Sequence, residues 1–331
     1  MNDSERLMRL IDGFVPTQLL YVVAKLGIAD ALANGPKSST ELAASAGADP
    51  AALHRVLRGL AAEEVFDELD DGRFALGPLG EALRPLQGAA IARGEVYYDS
   101  AAGLFEAVMR GGVPYELTHK ARFFDHLGQH PSREAAFQGS MAGRAELEAE
   151  AVVAAYDFAR FETVVDVGGG RGVLLTAILE SAPRVRGTLL DRPAAIPDAR
   201  VYLDEEGLAD RAECIAGDFF SELPNGADAY VLSRVLHDWD DADATRILET
   251  CRRALRPDSA VVIVDAVLPA RARDKPAAIR MDLHMLLLLG ARERTETEFG
   301  DLAAGAGFAV KGVTLTASPA GLGVVELRLA E

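Results

Sequence analysis

Cysteine is nearly absent from this chain: two thiols, Cys214 and Cys251, stand in 331 residues. Two cannot build a disulfide framework or a four-thiolate metal cluster. Both lie in apolar patterns and read as buried thiols of a reducing cytoplasm. Positive charge is also short. Lys and Arg number 34 against 51 Asp and Glu, a net charge of −17, and that field disfavours nucleic acid. Long apolar runs are missing too. Runs such as Met285 to Leu289 are far below the ~18 residues of a membrane span. The first residues, Met1 to Arg6, show no basic stretch followed by an apolar core, so no secretion signal is expected. What is present is a hydrophobic content of 49% and a mean hydropathy of +0.08. These fit a soluble, cytoplasmic protein with a large core. The length allows two domains and a helical connector.

Residues 1–95 read as helices with one small hairpin. Leu19, Leu20, Val23, Leu26, Ile28 and Leu32 follow a helical rhythm broken at Gly27. A short capped helix follows at Ser39-Thr40-Glu41-Leu42-Ala43, and Asp49-Pro50 starts another. Val65 to Leu69, Asp70-Asp71-Gly72 and Arg73 to Leu76 give a strand, a turn and a strand. This is a winged-helix pattern, which serves DNA binding or dimerisation. The second helix offers only His54, Arg55 and Arg58 as basic residues and runs into Glu63-Glu64, while the hairpin carries Asp67, Glu68, Asp70 and Asp71. Phosphates would be repelled, so the dimerisation reading is preferred. Residues 96–158 read as a helical connector contributing to an acceptor pocket.

From residue 159 the pattern alternates. Strands are expected at Val164–Val167, Gly187–Asp191, Ala212–Ala216, Ala229–Ser233 and Val261–Ala266, with helices between them. Two last strands are expected near Phe308–Val313 and Gly323–Leu329. The alternation specifies an α/β domain with an open, mostly parallel sheet and helices on both faces. Ligands of such sheets bind beyond the carboxyl ends of the strands, where Gly168, Asp191, Asp218, Ser233, His237 and Asp265 fall.

The first of those strands runs into Asp166-Val167-Gly168-Gly169-Gly170-Arg171-Gly172. A strand, a glycine turn and a helix make a nucleotide-binding corner. A dinucleotide fingerprint would require a glycine at 173, where Val173 stands, so an NAD-dependent dehydrogenase is disfavoured. Asp191 ends an apolar strand about 20 residues past the corner, placed to accept from both ribose hydroxyls. Gly217-Asp218-Phe219-Phe220 ends the third strand, with a carboxylate for an adenine amino group and a ring for its face. His237 lies just past the fourth strand, where a neutral imidazole could take a proton from a phenol. Asp240, Asp241 and Asp243 precede a helix expected at Ala244–Leu255 and suit its cap. No His/Cys set completes a metal site, so no metal is expected.

Together with Glu293-Arg294-Thr295 and Gly305-Ala306-Gly307-Phe308, these motifs resemble the metal-independent O-methyltransferases that use S-adenosyl-L-methionine (SAM). That family includes plant caffeate-type and bacterial natural-product enzymes. The resemblance spans nearly the whole chain. It implies a Rossmann-like methyltransferase domain behind a winged-helix dimerisation domain, and a homodimer with neither nucleic acid nor membrane as partner. It implies SAM contacts from Gly168, Gly170, Asp191, Asp218 and Phe219. Ser233 stands at the family's SAM-contacting lysine. It implies His237 as base, with Asp265 and Glu293 as the flanking acids. The first acid is Glu in the plant enzymes and one methylene shorter here. Phe137, Met141 and Met285 match positions that clamp a small aromatic acceptor. The expected reaction is methyl transfer from SAM to a phenolic hydroxyl, giving S-adenosyl-L-homocysteine (SAH). The competing readings are a SAM-binding relative that hydroxylates or decarboxylates instead, and a winged-helix regulator that senses a small ligand.

Overall fold

The computed structural model describes residues 2–318 and 320–330; the side chains at 132, 136, 138 and 141–143 lie outside that description. The chain divides into two compact units, one ending at Gly143 and one starting at Arg144. In the first unit, helices Phe14–Lys25 and Ile28–Leu32 are separated at Gly27, whose φ of 64° lies in the left-handed region. Ser38 and Glu41 close a reciprocal cap on helix Ser39–Ala46, and Asp49 caps helix Pro50–Ala61. The hairpin forms from β2 (Phe66–Glu68) and β3 (Arg73–Leu76), and a short strand, β1 (Lys37–Ser38), joins it. The order is β1-β3-β2, all antiparallel. β1 was not expected, because two residues carry no periodicity. Val23, Ile28, Leu42, Leu57, Leu60, Phe66 and Phe74 form the core beneath this sheet.

The second unit is built on an eight-stranded sheet. Its strands are β4 (Thr163–Val167), β5 (Arg186–Asp191), β6 (Ala212–Ala216), β7 (Ala229–Ser233), β8 (Ala260–Leu268), β9 (Arg294–Thr295), β10 (Phe308–Leu315) and β11 (Leu322–Leu329). The order is β10-β11-β8-β7-β4-β5-β6, with β9 on the end of β8. Pairings from β8 to β6 are parallel, and β11 is antiparallel to both neighbours. The apolar strands follow from coverage on both faces. Val164, Val262, Val264 and Val324 pack on one side, while Val165, Val261, Ile263 and Val325 pack on the other. Each such side chain, fully buried, contributes about 1.5–3 kcal/mol. Strand order reverses between β4 and β7, and the crevice at the carboxyl ends of those two strands is the ligand position of such a sheet. Among the described residues no single helix is long and apolar enough to cross a membrane.

Candidate functional site at the carboxyl ends of the parallel strands

β4 ends in the glycine corner. Gly168, Gly170 and Gly172 all have positive φ, at 72°, 57° and 88°. A Cβ on Gly168 would stand 3.0 Å from Val235 and 3.5 Å from the Phe219 ring. Glycine alone keeps this backbone open to a ligand. Gly172 leads into helix Val173–Ser181, whose first N–H groups face the corner. Asp166 is buried and neither carboxylate oxygen has a partner. Burial, reinforced by the charge of Asp191, pushes its carboxyl up to about 7. Asp191 Oδ2 accepts from the Gly170 N–H at 2.8 Å and Oδ1 from the Arg192 N–H at 2.6 Å. This carboxylate therefore braces the corner from the end of β5. Asp218 accepts from the Phe220 N–H and the Ser221 hydroxyl, each at 2.9 Å, so it stands as a turn residue as well as at a strand end. Phe219 meets Trp239 edge to face at 6.2 Å between centroids, and Phe220 meets it at 4.8 Å. An open glycine corner, a strand-end carboxylate and an aromatic wall fit SAM.

The loop after β7 carries the second group. Ser233 is the last residue of β7. Arg234 follows with φ 56°, a strained left-handed conformation for a side chain with a Cβ. A 3₁₀ turn then runs over Leu236–Asp238 and buries His237. His237 Nδ1 lies 2.8 Å from Glu293 Oε1, and Nε2 lies 3.4 Å from Asp238 Oδ1. Burial opposes the imidazolium, but Glu293 and Asp238 outweigh it and raise the ring to about 9. The two carboxylates thus favour the charged form of the ring. Nitrogen of His237 and carboxylate oxygens of Asp265 and Glu293 come within 4.8 Å of one another. Asp265 makes no hydrogen bond to the ring, as befits its shorter side chain; both its oxygens lack partners. Burial first, then the charge of Glu293, pushes its carboxyl up to about 7. Asp265 lies inside β8 rather than past it, because β8 runs three residues further, to Leu268. It is the first residue beyond the β7 pairing, which ends at Ser233↔Val264.

Asp240 caps the next helix by accepting from the Asp243 N–H at 2.9 Å. That helix begins at Asp241 rather than Ala244, since acids in a first turn suit the helix dipole. Met285 is buried beside Ala266, Ala278, Met281 and Ala291. Phe137, in the first unit, is half-buried and meets Phe123 edge to face at 5.0 Å. The Met141 side chain lies outside the described ones. Three residues of this region escaped the sequence reading: Arg234, Trp239 and Arg294. Arg294 sits inside the Glu293-Arg294-Thr295 motif and Trp239 stands two residues past His237, so adjacency to Glu293 and His237 was the available signal. The backbone of Arg234 had none.

A glycine corner at the switch point of a doubly wound sheet, faced by a strand-end acid and an aromatic wall, defines a SAM-dependent methyltransferase. The chain belongs to the O-methyltransferase family: residues 102–309 match its O-methyltransferase domain and residues 8–84 its O-methyltransferase dimerisation domain. It is 44% identical over 330 residues to Phenazine O-methyltransferase PhzM of Lysobacter antibioticus, covering 98% of this chain and 96% of that one. It is 36% identical to 8-amino-8-demethylriboflavin N,N-dimethyltransferase of Streptomyces davaonensis, covering 89% and 87%. The O-methyltransferase NcsB1 from neocarzinostatin biosynthesis, solved with SAM and 2-hydroxy-5-methyl naphthoic acid, superposes with a TM-score of 0.82 at 34% identity over 95% and 96% of the two chains. The cofactor of this chain is SAM and the product left behind is SAH.

Proposed function

We propose that this chain methylates a phenolic hydroxyl of a small aromatic natural product, with His237 taking the phenolic proton and the chain working as a homodimer. The observation that carries the reading is the buried His237–Glu293 pair at the carboxyl end of β7, 2.8 Å apart. Two of the relatives named above are named for a phenazine and a demethylriboflavin and the third is solved with a naphthoic acid, which supports a flat aromatic acceptor. The match to a dimerisation domain supports the homodimer.

Bound SAM supplies a methyl carbon activated by a sulfonium, so that an O–C bond forms as the C–S bond breaks and neutral SAH leaves. Gly168, Gly170, Asp191, Asp218, Phe219 and Ser233 line the side of the crevice that would hold it. A phenol of ordinary pKa ~10 is almost wholly protonated at neutral pH. Neutral His237 accepts its proton on Nε2 as the new bond forms. Glu293 holds Nδ1–H, fixes the tautomer and stabilises the imidazolium that results. Asp265 adds a second buried carboxyl behind the ring. Because Glu293 and Asp238 favour the charged ring, the base role requires that proton to leave before turnover. A positive charge brought into a buried site lowers the proton affinity of a neighbouring imidazole, and SAM carries one. Phe137, Met141 and Met285 are the proposed acceptor-side residues.

An aromatic amine is a second acceptor class, favoured by the 36% identity to an N,N-dimethyltransferase. The test is a panel of phenols and aromatic amines with methyl-labelled SAM, read by mass spectrometry of product and SAH. Label on oxygen of a phenol is the expected result. Label only on nitrogen would move the assignment to the amine, and SAH formation with neither class would reject both.

A further inference from the structure

Arg294 is 1% exposed and is the largest of the fully buried side chains described. It stands on β9, opposite Val267 of β8. Its Nη1 donates to the Leu236 carbonyl at 2.9 Å. Its Nη2 donates to the Trp239 carbonyl at 3.0 Å and to Asp241 Oδ1 at 2.8 Å, and its Nε reaches the same oxygen at 3.1 Å. Those acceptors bracket His237: the residue before it, the second residue after it, and the first residue of the following helix. The turn has little to hold itself. Its own backbone bonds, Asp238 N–H to Val235 and Trp239 N–H to Leu236, are both 3.2 Å. Meanwhile Glu293, the neighbour of Arg294, takes the imidazole itself. One dipeptide therefore grips the ring with its first side chain and the backbone around the ring with its second. Trp239, on the same loop, packs against Phe219 and Phe220, so the loop links the base to the cofactor's aromatic wall.

We infer that Arg294 is a positioning residue: it fixes the loop from Leu236 to Asp241 so that His237 and Trp239 keep one spacing. The role rests on the reading of His237 as base. A planar guanidinium spreads its donors over three nitrogens in a fixed plane and so reaches two carbonyls and a carboxylate that stand apart, whereas an ammonium offers its three donors from a single nitrogen. Misplacement of a reacting group by about 1 Å can cost ~10²-fold in rate. The competing role is purely structural, the ion pair with Asp241 tying a helix to β9. Asp241 separates the two. It is 56% exposed and also pairs with Arg292, and its loss would leave both carbonyl bonds in place.

Trp239 is the single tryptophan of the chain, so emission excited at the red edge, where tyrosine does not absorb, reports on this loop alone. The full-length parent, R294K, R294A and D241N are compared for kcat, acceptor KM, Trp emission and thermal midpoint. R294K is expected to lose at least about tenfold in kcat, to change acceptor KM by less than about threefold, and to shift its emission to the red. D241N is expected to stay within about threefold of the parent kcat. Non-denaturing guanidinium ion is expected to restore kcat and emission together in R294A. Equal losses in R294K and D241N, an unmoved emission with kcat within about twofold, or no recovery of folded R294A would overturn the inference. Should R294A not fold, the R294K and D241N pair decides. The H237A variant keeps the two readings apart. Parent-like turnover in H237A rejects the base, whereas the emission of R294K, read without substrate, judges the loop separately.

Discussion

The loop after β4 and the loop after β7 begin at adjacent parallel strands, with Asp166 opposite Val231, yet they are held by different means. The first is a backbone device. Three positive-φ glycines set its path, backbone bonds from Gly168 to Leu190 and from Gly172 to Gly169 hold it, and the Asp191 carboxylate braces the Gly170 N–H. The second is a side-chain device. Its turn carries two 3.2 Å backbone bonds of its own and is gripped by Glu293 and Arg294, which lie beside and on β9. A ligand that is gripped by backbone tolerates change in surrounding side chains. A base that is gripped by a buried ionic network does not, because removing one partner leaves a charge uncompensated.

The largest effect should come from the base itself. H237A is expected to lower kcat by ~10²–10⁴-fold while SAH affinity by calorimetry stays within about twofold. A joint loss of affinity and turnover would mean the two loops are not separable. Next, D191A should weaken SAM binding by about 10–100-fold, the worth of a hydrogen bond to a charged group, with kcat at saturating SAM close to the parent. A collapse of kcat at saturation would move Asp191 into the chemistry. E293Q sharpens the comparison further. It keeps a side chain beside Nδ1 but removes the charge that raises His237. The acid limb of the kcat/KM profile for SAM, which reports the free protein, should therefore move from near 9 toward the ordinary ~6.5, with a lower plateau. A limb that stays in place would show that Asp238 or Asp265, not Glu293, sets the proton affinity.

The smallest expected effect is a linkage. His237 binds its proton below about 9, and a sulfonium cation competes with that proton for the same field. SAM affinity should therefore rise as pH climbs toward 9, and SAH affinity should stay flat. Parallel calorimetry of the two across pH reads this directly. Identical profiles would contradict it.

What could be read from the sequence follows the same division. The glycine corner is contiguous, and Asp191 and His237 each end an apolar run, so strand ends and local chemistry located them. The Glu293 partner lies 56 residues from His237 in the chain, and only its likeness to the family's motif pointed to it. Asp265 sits among β8 residues that are apolar on both sides, so the end of the parallel pairing could not be told from the end of the strand. The pull on the His237 ring depends on two carboxylates meeting it in space, which no local pattern encodes. No local pattern marks Arg294 as buried, and the fold leaves it 1% exposed.

The place of β11 carries one consequence for how such a chain is made. β11 lies between β8 and β10 and bonds β8 from Leu322↔Ala266 to Leu327↔Val261, so a flank of β8 has no strand beside it until residues 322–329 have been synthesised. At about 5–20 residues per second, residues 269–321 take roughly 3–10 s to emerge. During that interval a strand of nearly unbroken Val, Ile and Ala presents open amide and carbonyl groups, the surface on which nascent chains adhere to one another. Slow translation or crowded expression should therefore depress the yield of folded protein more than its final stability would suggest.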